Sequence, residues 1–352
     1  MKAVSDPGNP FDGLRGPGVL QMVRELFVRR ELECLQVEVT SFCPGKCVYC
    51  PHTTHAETWN SRNMAPETYA SLWPVMRKAA RVHLQGWGEP LLNPWFFDYV
   101  GLARRADCSV STTTCGLRMD ERIARKIVQS GLDIVAFSLA GTDDASNASR
   151  AGVPFSYVER AVQQLQKTRK ELNGVHLEVH IAYLMLASNI EAVRRLPELM
   201  DKWDVHAAVV STMDYIPSLK MTHEAFAPHE RGKIEAAREV LEEVAEKVKA
   251  SGRDFYASLP AEVPAPCCRE RSHRTLYADA DGNISPCVYL NVPFADACAR
   301  RAVFGSAVSM PWEKIWNLPE YEEFRRRVQT SDPPDVCRNC AKRFETPCAA
   351  GR

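Results

Sequence analysis

Three cysteines fall within eight residues, in the run Cys43-Pro-Gly-Lys-Cys47-Val-Tyr-Cys50, just after the apolar stretch Leu35-Gln-Val-Glu-Val-Thr. Thiols this close together, with His52 and His55 nearby, are metal ligands by type. Structural zinc wants four ligands, and a zinc site completed by His52 is one reading. An iron–sulfur cubane is the better match, because it takes one ligand per iron and three thiolates on one loop hold three corners. The fourth iron is then open to a reactant, as in a catalytic metal site. A second set lies near the C-terminus: Cys267, Cys268 and Cys287, then Cys337, Cys340 and Cys348. Cys34, Cys108, Cys115 and Cys298 are scattered and read as small buried hydrophobes.

Thirteen cysteines is a high and odd count. The start, Met1-Lys-Ala-Val-Ser, has no signal-peptide core, so clustered thiols read as metal sites rather than disulfides. Lys plus Arg (44) balance Asp plus Glu (44), which gives no electrostatic footprint for nucleic acid or anionic membrane. No apolar run approaches the ~18–20 residues of a membrane helix. The expectation is a cytoplasmic chain with no nucleic-acid or membrane partner.

Positioning falls to an alternation of short apolar runs with amphipathic ones. Strands are expected at 35–39, 82–84, 109–112, 134–138, 175–183 and 206–210, and helices at 66–80, 94–106, 120–131, 156–172 and 190–203. Alternation of this kind implies a parallel sheet with helices outside. Six such units predict an α/β fold, a partial (β/α)6 TIM-like barrel, over 35–222. Chemistry in such barrels sits at the C-terminal ends of strands. Cys43–Cys50 follows the first strand and Gly86-Trp87-Gly88-Glu89-Pro90 the second, so both fall at one end. Residues 1–34 read as an extension and 223–251 as a charged bridging helix. Pro260–Pro266 reads as a linker, and 252–352 as a cysteine-rich α+β unit with a hairpin turn at Asp281-Gly-Asn.

Cys43-x3-Cys47-x2-Cys50, with Tyr49 before the last cysteine, resembles the signature of the radical S-adenosylmethionine (SAM) enzymes. The resemblance implies a 4Fe–4S cluster whose open iron is chelated by SAM. It also implies reductive cleavage of SAM to a 5′-deoxyadenosyl radical, and an external one-electron reductant such as flavodoxin or ferredoxin. Gly86-Trp87-Gly88-Glu89-Pro90 resembles the family's Gly-Gly-Glu-Pro turn, whose backbone faces the SAM ammonium, with Trp87 at the usual first glycine. Ser138-Leu-Ala-Gly141 resembles a segment that hydrogen-bonds SAM. Arg150 resembles the arginine that pairs with the SAM carboxylate, a match for a bidentate guanidinium. Thr114-Cys115-Gly116 stands where relatives read Thr-Asn-Gly.

Cys268, Gly282 and Cys287, with Trp312-Glu-Lys-Ile-Trp-Asn317 and Cys337-x2-Cys340, resemble the family's C-terminal SPASM domain. The cysteines are too few for its two clusters, so the shortened twitch form is implied. Cys268, Cys287, Cys337 and Cys340 would then hold one auxiliary 4Fe–4S cluster, with Cys267 or Cys348 as substitutes and a zinc knuckle as the alternative. This layout resembles sugar- and aminocyclitol-modifying members such as the dehydrogenase of butirosin biosynthesis. The resulting expectation is a small sugar-like or aminocyclitol substrate in antibiotic biosynthesis. The expected reaction is dehydrogenation of a secondary alcohol, with the auxiliary cluster as electron acceptor. Epimerase, dehydratase or decarboxylase chemistry, peptide modification, and a non-catalytic iron–sulfur carrier or scaffold are the alternatives. Residues 1–34 are too few for a peptide-recognition domain, which weighs against peptides. Glu178 and His180, at alternate positions on the fifth strand, are the candidate catalytic pair facing the barrel interior. Trp87 and Trp95 read as core packing, with lining of the pocket as the alternative.

Overall fold

The computed structural model describes residues 11, 14, 30–173, 176–265, 268–293 and 301–349. Six parallel strands run side by side in chain order: β1 (Leu32–Val37), β2 (Ala79–Leu84), β3 (Ser109–Thr114), β4 (Ile134–Leu139), β5 (Glu178–Leu184) and β6 (Ala207–Ser211). Each alternates. Leu35, Val82, Val110, Val135 and Val179 are buried, while the intervening Gln36, His83, Ser111, Ala136 and His180 sit on the sheet's other face. That period of two turns one face to the helices and the other to the barrel interior.

The α/β class and the partial barrel stand, but the sheet is wider than six strands. β7 (Asp254–Pro260) pairs parallel to β6, and β8 (Thr275–Ala278) pairs parallel to β1. Antiparallel β9 (Asn283–Ser285) and β10 (Gly305–Ser306) extend the β8 side, and β11 (Glu345–Ala349) pairs antiparallel to β7. The C-terminal residues therefore flank the barrel on both edges. Pro260, expected in a linker, ends β7 as a buried residue.

The layer around the sheet comprises α1 (Phe96–Arg105), α2 (Glu121–Gln129), α3 (Phe155–Glu171), α4 (Leu196–Trp203) and α5 (Arg231–Ala250). α5 is no free bridge. Ile234, Ala237, Val240, Leu241, Val244 and Val248 form a buried stripe at helical spacing, so α5 is a crossover helix packed on the sheet between β6 and β7. His223, expected in that helix, lies in a 3₁₀ turn, Leu219–Glu224. The helix expected over 66–80 breaks in two, at Pro66–Ser71 and Trp73–Met76, because Pro74 can only open a helix. That over 190–203 starts as a 3₁₀ segment, Ala187–Arg195, and becomes α-helical beside Pro197. Asp281-Gly-Asn does turn a hairpin: Ala278 pairs with Ile284, and Gly282 takes φ +80°. Among the described residues, no helix is long and apolar enough to cross a membrane.

Candidate active site

The thiol loop leaves the C-terminal end of β1 and is pinned from below. Gly88 is wedged beneath it: a Cβ there would fall 2.2 Å from the Thr40 carbonyl oxygen and 2.7 Å from that of Phe42. The Glu89 amide donates to the Phe42 carbonyl (2.8 Å). A Cβ on Gly86 would strike Glu38, 2.4 Å away. These close approaches, rather than turn flexibility, demand both glycines. Gly45 sits between two thiols, where a Cβ would lie 3.4 Å from Cys43 Sγ and 3.7 Å from Cys47 Sγ.

Burial pushes the Cys43 thiol up to about 11 and the Cys50 thiol up to about 12, and each feels the charge of its neighbouring thiols. Thiols raised in this way give up their protons to a strong local positive charge, which an iron cluster would supply. Among the described residues, no three His, Cys, Asp or Glu side chains close around one point tightly enough for a single metal ion. A multi-iron core instead gives each thiolate its own iron. His52 packs edge-on against Trp59, with centroids 5.0 Å apart.

Arg150 pairs in backbone with Cys47 across a two-residue ribbon and is buried. Its Nη1 donates to Ser138 Oγ (2.7 Å) and to the Tyr49 hydroxyl (3.1 Å). Its Nε is buried with no partner, and among the described residues no carboxylate pairs with it. A buried guanidinium facing only neutral oxygens calls for an anion. The geometry thus brings Tyr49, Ser138 and Arg150 together beside the thiols and fits the carboxylate of SAM.

Glu89 reads differently from the sequence expectation. Its carboxylate accepts from Thr114 Oγ1 (2.7 Å), the Cys115 amide (2.7 Å) and the Leu91 amide (3.3 Å). It ties the end of β3 to the turn after β2. That also gives Cys115 its place: the backbone donates there, so the side chain need not be polar. Cys108 and Cys115 are buried as expected, and Cys34 is half-buried. Cys267, Cys298 and the Cys348 side chain lie outside the described residues. Trp95, expected in the core, is 47% exposed.

The Glu178–His180 pair is a correction. Their parity is right, but their height is wrong. In register, Glu178 lies beside Ile134 and His180 beside Ala136, whereas Ser138 lies beside Ala182. At ~3.3 Å per residue, Glu178 is roughly 13 Å below Ser138. It is half exposed, with its carboxylate on His180 Nε2 at 2.8 Å, at the barrel floor.

Glu38, missed in the sequence, is the titratable group at the right end. It follows β1, is fully buried, and accepts from the Trp87 amide (2.9 Å) through Oε2 while Oε1 has no partner. Burial pushes its carboxyl up to about 7. A carboxyl held protonated in the fold stabilises it fully below the ordinary value of 4.5, and that contribution is lost as pH rises through about 7. Glu38→Gln should therefore match wild type in urea stability near pH 4.5 and exceed it by about 3 kcal/mol above pH 8. A difference that stays constant across this window contradicts a buried, raised Glu38.

Cys268, Cys287, Cys337 and Cys340 line one cavity of ≈ 590 Å³, together with Met213–Ile216 from the loop after β6. The Cys287 thiol is raised well above its usual range by burial, then by Glu270 and by the other three thiols. The expected set of four is thus assembled. The sequence did not reveal the charge cluster beside it. Lys342 Nζ stands 2.7 Å from Asp214, 3.1 Å from Glu345 and 3.5 Å from Glu270. The Tyr289 hydroxyl donates to Asp214 Oδ2 (3.1 Å), and Asp214 Oδ1 is buried with no partner. Lys342 and Glu345 look in sequence like a surface i,i+3 pair. The signal for Asp214 was its place just past a barrel strand. Trp87 links the two regions, its ring 5.8 Å from Tyr215 and 6.2 Å from Tyr289, both in the cavity wall.

Residues 37–199 match the Radical SAM superfamily, and 267–341 match an iron–sulfur cluster-binding domain, SPASM. The chain thus carries a radical SAM domain followed by a SPASM domain, and its cofactors are a 4Fe–4S cluster, SAM and an auxiliary cluster. Among curated relatives, PqqA peptide cyclase of Gluconobacter oxydans is 26% identical over 321 residues, covering 88% of this chain and 82% of that one. Among solved structures, anSMEcpe with bound AdoMet and Cp18Cys peptide superposes with TM-score 0.63 at 18% identity, covering 87% of this chain and 85% of that one. BtrN in complex with AdoMet and 2-DOIA gives TM-score 0.50 at 16% identity, covering 88% and 92%.

Proposed function

We propose that the chain is a radical SAM enzyme that modifies a peptide held between the SAM site and the auxiliary thiols. The observation that carries this reading is the likeness to peptide cyclases along 88% of the chain, the C-terminal unit included. It outweighs the sequence expectation of a sugar or aminocyclitol dehydrogenation, which rested on the small number of auxiliary cysteines. The likeness to BtrN supports the fold alone.

Cys43, Cys47 and Cys50 would hold the SAM-binding cluster, and Cys268, Cys287, Cys337 and Cys340 the auxiliary one. Bound there, the cluster and SAM would supply hydrogen-atom abstraction chemistry, and the auxiliary cluster would supply a one-electron acceptor. Arg150 would pair with the SAM carboxylate, kept in place by Ser138 and Tyr49. Gly86 and Gly88 seat their turn against Glu38 and the Thr40 and Phe42 carbonyls, and the turn's backbone would then face the SAM ammonium. Trp87 closes the space between that turn and the cavity. Glu38 holds a proton at Oε1 or accepts one, because burial places its titration near neutrality. Asp214, a residue of the cavity wall oriented by Lys342 and Tyr289, would act as a hydrogen-bond acceptor for a peptide N–H.

The test is anaerobic incubation of the reconstituted enzyme with SAM, reductant and short peptides encoded beside its gene. The expected result is 5′-deoxyadenosine formation stimulated by one peptide, which loses two hydrogens in mass. Stimulation by aminocyclitols or sugars, and by no peptide, would restore the dehydrogenase reading.

A further inference from the structure

A groove of ≈ 970 Å³ runs outside the barrel, over the end of β3 and between α1, α2 and α3. Arg118, Arg122, Lys126 and Arg160 line it, all exposed. Among the described residues, none of the four has an ion-pair partner. Arg160 lies over the Tyr157 ring at 4.7 Å and Lys126 over Phe97 at 5.4 Å, so aromatic faces position these cations without neutralising them. The lining acid is Asp120, whose Oδ1 already caps α2 by accepting from the Ile123 amide (2.7 Å). A chain of zero formal charge thus concentrates positive charge on one concave face.

That face backs onto the thiol loop. Gly116 lines the groove, and the preceding residue, Cys115, donates its amide to Glu89 (2.7 Å). Glu89 in turn donates its amide to Phe42 (2.8 Å), the neighbour of Cys43. The opposite wall begins two residues after Phe155, and Val153 approaches a Cβ position on Gly45 to 3.3 Å. Both walls are thus joined to the loop by short covalent and hydrogen-bonded connections. The 47%-exposed Tyr157 adds an aromatic contact of the kind enriched at protein interfaces.

Resting on the radical SAM reading above, we propose that this groove docks a small acidic protein that carries one electron to the cluster held by Cys43, Cys47 and Cys50. One electron leaves the carrier and enters the cluster, and no bond forms or breaks. Charge complementarity of this sort acts on encounter and orientation, and weakens with salt. The other chemistry that fits a cationic groove is nucleic acid, but four cations beside a site that needs electrons favour the carrier.

The experiment compares three reconstituted proteins: wild type, Arg122→Glu/Lys126→Glu/Arg160→Glu, and Lys220→Glu/Lys249→Glu/Lys314→Glu. The last reverses three exposed charges elsewhere and matches the change in net charge. Purified flavodoxin is the probe. Its affinity is read by titration at low and high salt, and SAM cleavage is driven separately by flavodoxin and by dithionite. The groove variant should bind flavodoxin about tenfold more weakly at low salt and lose flavodoxin-driven turnover in proportion. Its dithionite-driven turnover, and all properties of the control variant, should match wild type. Unchanged flavodoxin affinity in the groove variant overturns the proposal. So does an equal loss in the control, or a groove variant that loses only binding to a single-stranded RNA oligonucleotide. A wild type that cleaves no SAM with dithionite contradicts the functional reading instead, and the affinity comparison still decides docking.

Discussion

Replacing Cys43, Cys47 and Cys50 together with alanine is expected to bring 5′-deoxyadenosine formation to background while the fold and the auxiliary iron remain. The three side chains are half-buried on a loop, and their removal takes away no core packing. The glycines and Glu89 that hold the loop in place are untouched. The effect is all-or-none because each thiolate holds its own iron and none can serve two. Liquid chromatography of anaerobic reactions with dithionite and SAM reads it directly. Retained 5′-deoxyadenosine in the triple variant would mean that these thiols are not the cluster ligands.

Lys342→Met is the second large effect, and it falls on stability. Lys342 is the buried cation among Asp214, Glu345 and Glu270. Removing one partner of a buried charge cluster leaves the others uncompensated and costs about 3–5 kcal/mol. Burial, then the charge of Asp214, already pushes the Glu345 carboxyl up to about 8. Loss of the lysine raises the cost of any second charge there. The urea midpoint should fall accordingly, and Glu345→Gln added to Lys342→Met should recover part of the loss by removing one of the stranded acids. A midpoint within the error of wild type would mean that Lys342 is hydrated and that the cluster does not hold the C-terminal unit against the loop after β6.

The sequence was most informative where chemistry forces spacing. Cys43, Cys47 and Cys50 must share a loop, and the loop must follow a strand, so both were legible before any coordinates. Cys268, Cys287, Cys337 and Cys340 were picked out by resemblance, and the structure gathers them on one cavity though the last stands 72 positions after the first. Arg150 was found by resemblance, and its buried, unpartnered Nε is a physical reason for an anion that sequence could not supply. Strand parity put Glu178 and His180 on the interior face but said nothing of height along the strand, which is set by inter-strand register. Had position along the strand been weighed, Glu38 and Asp214, both just past C-terminal strand ends, would have ranked above them. Lys342 and Glu345 were hidden because an i,i+3 pair of opposite charges looks like a surface pair until tertiary contacts bury it. β8 was expected as half of a hairpin, but its parallel pairing with β1, and β7 altogether, were missed because these residues were grouped with the cysteine-rich unit by composition.

The most direct test of the two-site account is iron and acid-labile sulfide per chain after anaerobic reconstitution. It needs wild type, the Cys43/Cys47/Cys50→Ala variant and a Cys268/Cys287/Cys337/Cys340→Ala variant. The account predicts about eight irons in wild type and about four in each variant. About four in wild type, falling to none in the first variant and unchanged in the second, would contradict it and leave the C-terminal cysteines without a cluster.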